Sequence, residues 1–210
     1  MKIAICGAKG KMGKTFVDYF HSIHDITEID SCGLCLNDVI EKVDLVVDFT
    51  KADAAFINAV IALTHGKPVI IGTTGLTDPQ KATLKTIANK KEVGCMLASN
   101  FSIGMLWIKR NINEISKYFK DIHIIEEHHE SKLDYPSGSA LSLQHILKAP
   151  LENITSIRGP KQTVRHKIIL KNGDETLVIE HAVNNRNAYM VQLGECIKDI
   201  TRLHAYVELE

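Results

Sequence analysis

Four short apolar runs, each closing on small or polar residues and each followed by a helical pattern, constrain this chain most. They are Lys2 to Cys6, Asp44 to Thr50, Lys67 to Gly72 and Val93 to Ala98. Runs this short and continuous read as strands buried on both faces, which is how parallel strands are written. The segments between them carry helix signals. Thr50 reads as an N-cap for an alanine-rich helix over 52–65 with Gly66 just past its end, and Thr77-Asp78-Pro79 starts a helix reaching about Lys91. Ser99 to Gly104 leads into a further helix through Tyr118. Strand–helix alternation of this kind makes a doubly wound sheet with ligands at the carboxyl ends of its strands.

The first strand runs straight into Gly7-Ala8-Lys9-Gly10-Lys11-Met12-Gly13. A tight glycine turn followed by a helix N-terminus lets a pyrophosphate approach the main chain and meet free N–H groups. The spacing is G-x-x-G-x-x-G, and alone it is also compatible with a ligand-free turn. Placed between strand and helix it indicates a Rossmann-like dinucleotide site. Asp30 closes the second strand 17 residues after Gly13, near where a ribose-binding carboxylate is expected. No arginine follows it, so the cofactor expectation is NADH or NADPH with a lean to NADH, softened by Lys9 and Lys11.

Lysine plus arginine and aspartate plus glutamate each number 25, without long runs of one sign. This argues against nucleic-acid or membrane-surface partners. Five cysteines and no signal-peptide pattern suit a reducing, cytoplasmic setting. Cys32-Gly33-Leu34-Cys35 is a lone C-x-x-C without the second pair a zinc site needs, so neither metal nor redox use is expected.

The chemistry concentrates in Glu127 to Ala140, after an apolar run at Ile122 to Ile125. Alternation points His128 and His129 to opposite faces, and Pro136 stops the strand. Ser137-Gly138-Ser139 then opens a helix with Ala140, Leu143, Ile146 and Leu147 at helical spacing, ended by Pro150. Two imidazoles and an ammonium near a helix start with a glycine suit capture of a carboxylate beside a proton donor. Each residue singly has an ordinary structural reading: a surface or core histidine, a serine cap. Adjacent strand residues diverge, so the two histidines do not chelate one metal.

Beyond this stretch, Val164 to Leu170 and Glu175 to Val183 flank Lys171-Asn172-Gly173-Asp174, a strong hairpin signal. Ile168-Ile169-Leu170 implies burial on both faces, by a helix and by another subunit. Met190, Leu193, Ile197 and Ile200 form one helical stripe after Asn187. The organisation read from this is a dinucleotide-binding domain over 1–104, and a second α+β domain over 105–183 with a mixed or antiparallel sheet for substrate binding and oligomerisation. A C-terminal segment over 184–210 supplies a helix that returns to the first domain.

Taken together, Gly7 to Gly13, Gly72-Thr73-Thr74-Gly75, Asn100-Phe101-Ser102-Ile103-Gly104 and His128 to Ala140 resemble the dihydrodipicolinate reductase family over essentially the whole chain, with His181 and Arg186 near its end. The resemblance implies NADH- or NADPH-dependent reduction of 4-hydroxy-tetrahydrodipicolinate (dihydrodipicolinate) to tetrahydrodipicolinate, in the diaminopimelate route to lysine. It implies that Gly7, Ala8, Lys9, Gly10, Lys11 and Met12 hold the pyrophosphate. Gly72, Thr73 and Thr74, with Ala98, Ser99, Asn100 and Phe101, line the nicotinamide side. His128 is the implied proton donor/acceptor and Lys132 the second proton donor, while His129, Gly138 and Ser139 grip a carboxylate of a dicarboxylate substrate. A cytoplasmic homotetramer is implied, built through the second sheet.

The chain departs from the family pattern at several places. Lys11 stands for arginine, losing a planar fork. Ser139 stands for threonine and keeps the hydroxyl, and Tyr135 stands for a small residue. The segment between Arg158 and Ile168 is compressed, with Val164-Arg165-His166 in place of Gly-x-His. Two rival functions remain open at this level. Another two-domain dehydrogenase would share the glycines but not need Ser137-Gly138-Ser139 after paired histidines. A dinucleotide-sensing module would bind cofactor without turnover.

Overall fold

The structure, a computed structural model, describes residues 1–30, 33–160 and 163–209. In chain order the first elements are β1 (Lys2–Cys6), α1 (Lys11–Phe20), β2 (Asp25–Ile29), α2 (Leu36–Val39), β3 (Leu45–Asp48) and α3 (Ala52–Thr64). Next come β4 (Val69–Ile71), α4 (Asp78–Lys91), β5 (Cys95–Ala98), α5 (Ile103–Ser116), β6 (Asp121–His129) and α6 (Gly138–Leu147). The series finishes with β7 (Ile154–Gly159), β8 (Val164–Asn172), β9 (Glu175–Val183), α7 (Ala188–Ile200) and β10 (Tyr206–Leu209). These fall into two compact units, Met1–Phe101 with Tyr189–Leu209, and Ser102–Ala188.

The first unit holds six parallel strands in the order β10-β5-β4-β3-β1-β2. Period-2 alternation divides each inner strand between two cores. Ala4, Cys6, Val46, Val69, Ile71 and Leu97 meet α2, α3 and α4 on one face. Ile3, Ile5, Leu45, Val47, Ile70 and Met96 meet Phe16 and Phe20 of α1 and Met190, Leu193, Ile197 and Ile200 of α7 on the other. Phe16 is fully buried, and its truncation to alanine is expected to cost about 3–5 kcal/mol. Ala55, Ala59, Ala62 and Leu63 form the buried stripe of α3, the i, i+4, i+7, i+8 pattern of a helix laid on a sheet.

Several local expectations change. Thr50 does not cap α3: Lys51 occupies that position, and the Thr50 hydroxyl donates instead to Asp48 Oδ1 at 2.6 Å. The charged carboxylate two residues earlier takes the hydroxyl hydrogen in a short bond and so holds the side chain at the end of β3. Thr77 does cap α4, in a capping box with Gln80. The sequence reading places no strand after the last helix, yet β10 pairs in parallel with β5 along one edge of the sheet. Its four residues are too few to carry a periodic signal. Cys35 N-caps α2 and is an exposed free thiol; Cys32, the other half of the C-x-x-C, lies outside the described residues.

The second unit holds a mixed four-stranded sheet in the order β7-β6-β8-β9. β7 runs parallel to β6, and β6, β8 and β9 are antiparallel. β8 continues to Asn172, so the hairpin tip is Gly173-Asp174, with Gly173 at φ +60°, rather than the four residues Lys171 to Asp174. One sheet face is a core at its first half: Ile122, Ile124, Ile168 and Leu170 pack against Met105, Ile108 and Ile112 of α5 and Leu143 and Leu147 of α6. Further along the same face the side chains become Glu126 and His128 on β6, Ser156 and Arg158 on β7, His166 on β8 and His181 on β9. The register sets Glu126 beside both Ser156 and His166, and His166 beside His181.

Candidate active site

In the first unit the glycine turn is built for close approach. Gly7 has φ +83°, and a Cβ there would stand 2.9 Å from the Phe49 carbonyl oxygen. A Cβ on Gly13 would lie 2.2 Å from the Gly7 oxygen, so α1 can start only with glycine at that point. Gly7 N–H donates to Ile29 O at 3.0 Å and Gly10 N–H to Gly7 O at 2.9 Å, tying the turn to the end of β2. Gly10 is the N-cap of α1 and brings no side chain to the first turn of the helix, which leaves its N–H end suited to an anion. Ala8 is buried, Met12 half-buried, and Lys9, Gly10 and Lys11 are exposed. Lys9 Nζ lies 2.6 Å from Asp30 Oδ2.

A cleft of about 770 Å³ opens here, its wall including Gly7, Lys9, Gly10, Asp30, Phe49 and Thr50. The chain passes from β1 to β2 on one side and from β3 to β4 on the other, so its connections diverge between the carboxyl ends of β1 and β3, where doubly wound sheets bind ligands. The residues present fit a dinucleotide: a turn that a Cβ would block, an uncapped helix start and a carboxylate at the end of β2.

Gly72 sits under two rings. A Cβ on it would come within 2.2 Å of the Phe49 ring and 2.9 Å of the Phe101 ring, and these rings meet edge to face at 6.0 Å. Thr73 is buried and its hydroxyl donates to Thr50 O at 3.1 Å and Asp48 Oδ1 at 3.3 Å. Thr74 and Ser99 are exposed, Asn100 is half-buried, and Ala98 and Phe101 are buried. Asp48, fully buried, organises this corner. It accepts from Thr50 N–H at 2.8 Å, the Thr50 hydroxyl, and Asn58 Nδ2 at 2.8 Å besides Thr73. The sequence reading missed Asp48, although a carboxylate at the end of an otherwise apolar buried strand was the signal for it.

In the second unit His128 is buried and His129 half-buried, on opposite faces of β6. The hydrogen-bond network assigns them opposite tautomers. His128 Nδ1 bonds the Glu126 carboxylate, so Nδ1 carries the proton and Nε2 is the free basic atom. His129 Nδ1 accepts from Ser131 N–H at 3.1 Å and lies 2.8 Å from the Ser131 hydroxyl, so its Nε2 carries the proton and can donate to an anion. Burial pushes the His128 pKa below the ordinary value; Lys132 and Arg158 add to this, and Glu126 opposes them. Burial works to raise Glu126, but hydrogen bonds from Ser156 and Arg158 and the charges of His128 and Arg158 outweigh it and hold the carboxyl below its usual range.

Lys132 Nζ is 2.9 Å from Asp134 Oδ1, and its N–H donates to His129 O at 3.0 Å, fixing the turn after β6. Ser137 caps α6 by accepting from Ala140 N–H at 3.3 Å. Gly138 is exposed with no heavy atom near where a Cβ would sit, and Ser139 is half-buried in the same first turn. The Asp134 carboxylate, paired with Lys132, also accepts a backbone hydrogen bond from Gly138 at this helix start. His166, buried, packs its ring edge to face on His128 at 5.3 Å, and its Nε2 lies 3.4 Å from the Ser137 hydroxyl. His181 Nε2 is 2.7 Å from the Ser102 hydroxyl. Gly104 makes room for that ring, since a Cβ would stand 2.8 Å from His181 Cδ2.

Glu126 and Arg158 were also missed. Glu126 precedes His128 by two residues, so alternation alone placed it on the same buried face. Nothing local pointed to Arg158, which arrives through the β6–β7 pairing opposite His128.

Comparison with known proteins matches the descriptions "Dihydrodipicolinate reductase, N-terminus" over residues 27–101 and "Dihydrodipicolinate reductase, C-terminus" over 104–206. A 4-hydroxy-tetrahydrodipicolinate reductase of Lysinibacillus sphaericus is 30% identical, covering 99% of this chain and 97% of that protein. A protein of the same description from Legionella pneumophila is 31% identical over 90% of this chain and 89% of its own length. Among solved structures, a dipicolinate-bound dihydrodipicolinate reductase from Paenisporosarcina sp. TG-14 superposes with TM-score 0.84 at 25% identity, over 99% of this chain and 97% of that one.

Proposed function

We propose a division of labour among these residues from one premise: the chain belongs to the dihydrodipicolinate reductase family. It is an NAD(P)H-dependent oxidoreductase that reduces 4-hydroxy-tetrahydrodipicolinate in lysine biosynthesis. The cofactor, when bound, supplies the hydride; the protein supplies binding, orientation and protons. Gly7, Ala8, Gly10, Lys11 and Met12 hold the pyrophosphate at the start of α1, with Lys9 beside it. Gly72, Thr73 and Thr74, with Ala98, Ser99, Asn100 and Phe101, line the nicotinamide side.

A substrate carboxylate is taken by His129 Nε2–H and the first N–H groups of α6 at Gly138 and Ser139. His128 offers Nε2 as proton donor/acceptor, and Lys132 is the second proton donor. Reduction adds a proton as well as a hydride, and a positioned acid keeps charge from building up on the ring. The observation that carries this reading is the pair of adjacent imidazoles held in opposite tautomers, one suited to proton exchange and the other to anion binding. The dipicolinate bound to the Paenisporosarcina reductase supports a dicarboxylate as the ligand class. Purified protein given freshly made dihydrodipicolinate synthase product oxidises NADH or NADPH; no rate above background with either cofactor rejects the function.

Preference for NADH rests on Asp30, whose carboxylate suits a ribose diol and repels a 2′-phosphate. Lys9, paired with it, moderates that preference. The homotetramer and the cytoplasmic setting belong to the same reading. The outer face of the second sheet carries Ile125, Ile157, Ile169 and Val178, with Ile157 and Val178 nearly half exposed, an apolar strip that suits another copy of the chain. Light scattering on the purified protein measures the assembly.

A further inference from the structure

Tyr135, Arg158 and Glu126 form a column behind His128. Arg158 Cζ lies 4.2 Å from the centre of the Tyr135 ring. Its Nη2 donates to Asp134 O at 2.7 Å, its Nη1 to Ile157 O at 2.8 Å, and Nη1 also stands 2.9 Å from Glu126 Oε1. The Tyr135 hydroxyl donates to Ser156 O at 3.3 Å, holding the ring over the guanidinium. The Glu126 side chain is wholly buried and that of Arg158 is one-tenth exposed. The second carboxylate oxygen of Glu126 bonds His128 Nδ1.

We propose that Glu126, Arg158 and Tyr135 are positioning residues for His128: Glu126 fixes which ring nitrogen faces outward, and Arg158, stacked on Tyr135, anchors that carboxylate and offsets its charge. The proposal rests on the reading of His128 as proton donor/acceptor and assigns a task to Tyr135, the bulky residue before Pro136. A lone carboxylate on Nδ1 would favour the imidazolium, because opposite charges stabilise each other in a buried site. A guanidinium on the far oxygen counters that pull, so the imidazole keeps its orientation without being locked in the charged form. The other groups facing His128 are Lys132 from the turn after β6 and the neutral ring of His166 on β8, which is itself next to His181. Neither reaches Nδ1, so the tautomer depends on Glu126.

The two partners therefore pull the His128 titration in opposite directions, which a purely structural cluster would not do. Nuclear magnetic resonance of labelled histidines in the full chain reads both tautomer and titration midpoint without needing turnover. In the unaltered protein His128 is the Nδ1–H tautomer. Glu126→Gln mixes the tautomers and moves the midpoint to lower pH, and kcat/KM at neutral pH falls roughly 10- to 100-fold with little change in KM. Arg158→Met moves the midpoint to higher pH, and Arg158→Lys, which keeps the charge, returns it. Tyr135→Ala shifts it in the direction of Arg158→Met, and Tyr135→Phe does so less.

Midpoints that move the same way in Glu126→Gln and Arg158→Met, or that do not move, overturn the proposal. If Glu126→Gln does not fold, an unchanged midpoint in Arg158→Met and Tyr135→Ala overturns it equally. Opposite shifts by resonance with no matching shift in the kcat/KM pH profile uphold the column and overturn the proton role of His128 instead.

Discussion

Glu126 and His166 face each other across β6 and β8, and the carboxylate stays charged while the imidazole beside it stays neutral. Burial, with the neighbouring His128 and His181 adding to it, pushes His166 down to about 3. Glu126 is held ionised by Ser156 and Arg158. Across β6 the carboxylate facing a charged His166 is that of Glu126, which is already committed to Arg158 and His128.

This relationship sets the acid response of the fold. A histidine whose folded pKa is depressed binds protons more weakly than in the unfolded chain, so acid favours unfolding. The stability His166 contributes is fully present above the ordinary value near 6.5 and is lost as pH falls towards about 3, at about 1.4 kcal/mol per pH unit. Denaturant titrations between pH 7 and 4.5 will show stability falling, and His166→Asn will flatten that slope. An unchanged slope in the variant means that the other histidines pushed down by burial, His24, His128 and His181, carry the effect.

Lys132 and His129 separate kinetically. Lys132→Ala loses most of kcat, by roughly 10²-fold or more, the range for a positioned acid. His129→Ala mainly raises KM, because its Nε2–H serves binding in ground and transition states alike. If both variants retain wild-type kcat/KM, the roles assigned to the turn after β6 are wrong.

Asp30 and Lys9 tune the cofactor. Asp30→Ala will raise KM for NADH by roughly tenfold, the loss of about one charge-assisted hydrogen-bonding interaction, and will improve the use of NADPH relative to NADH. Lys9→Ala will act in the opposite sense and harm NADPH more. The Lys9–Asp30 contact is itself of little consequence for stability, since Lys9 is 70% exposed. Equal changes with both cofactors in either variant would place the ribose elsewhere.

Asp48 joins two loops of the cofactor site. Asp48→Ala removes the acceptor from half-buried donors on Thr50 and Asn58 and from the buried Thr73 hydroxyl, and an orphaned buried group costs on the order of 1–3 kcal/mol. The expected result is a lower melting temperature together with a raised cofactor KM, and Asp48→Asn recovers part of both. A variant of full stability and normal KM would show that the Thr50 and Thr73 loops hold themselves.

Much of this protein was readable from local pattern. Apolar runs and caps gave the parallel strands and helices of the first unit, because backbone sterics impose a period of 2 on strands and 3.6 on helices. The glycines of Gly7 to Gly13 were equally legible: a Cβ at Gly7 or Gly13 would collide with main chain. Alternation separated His128 from His129 before any contact was known. The tertiary structure alone decided the partners. Arg158 reaches Glu126 only because β7 lies parallel to β6 in one register, and β10 is a strand only because β5 offers it an edge. The tautomers of His128 and His129, and the neutrality of His166, follow from those long-range pairings. No local periodicity encodes which strands will be neighbours, and therefore which charges will meet.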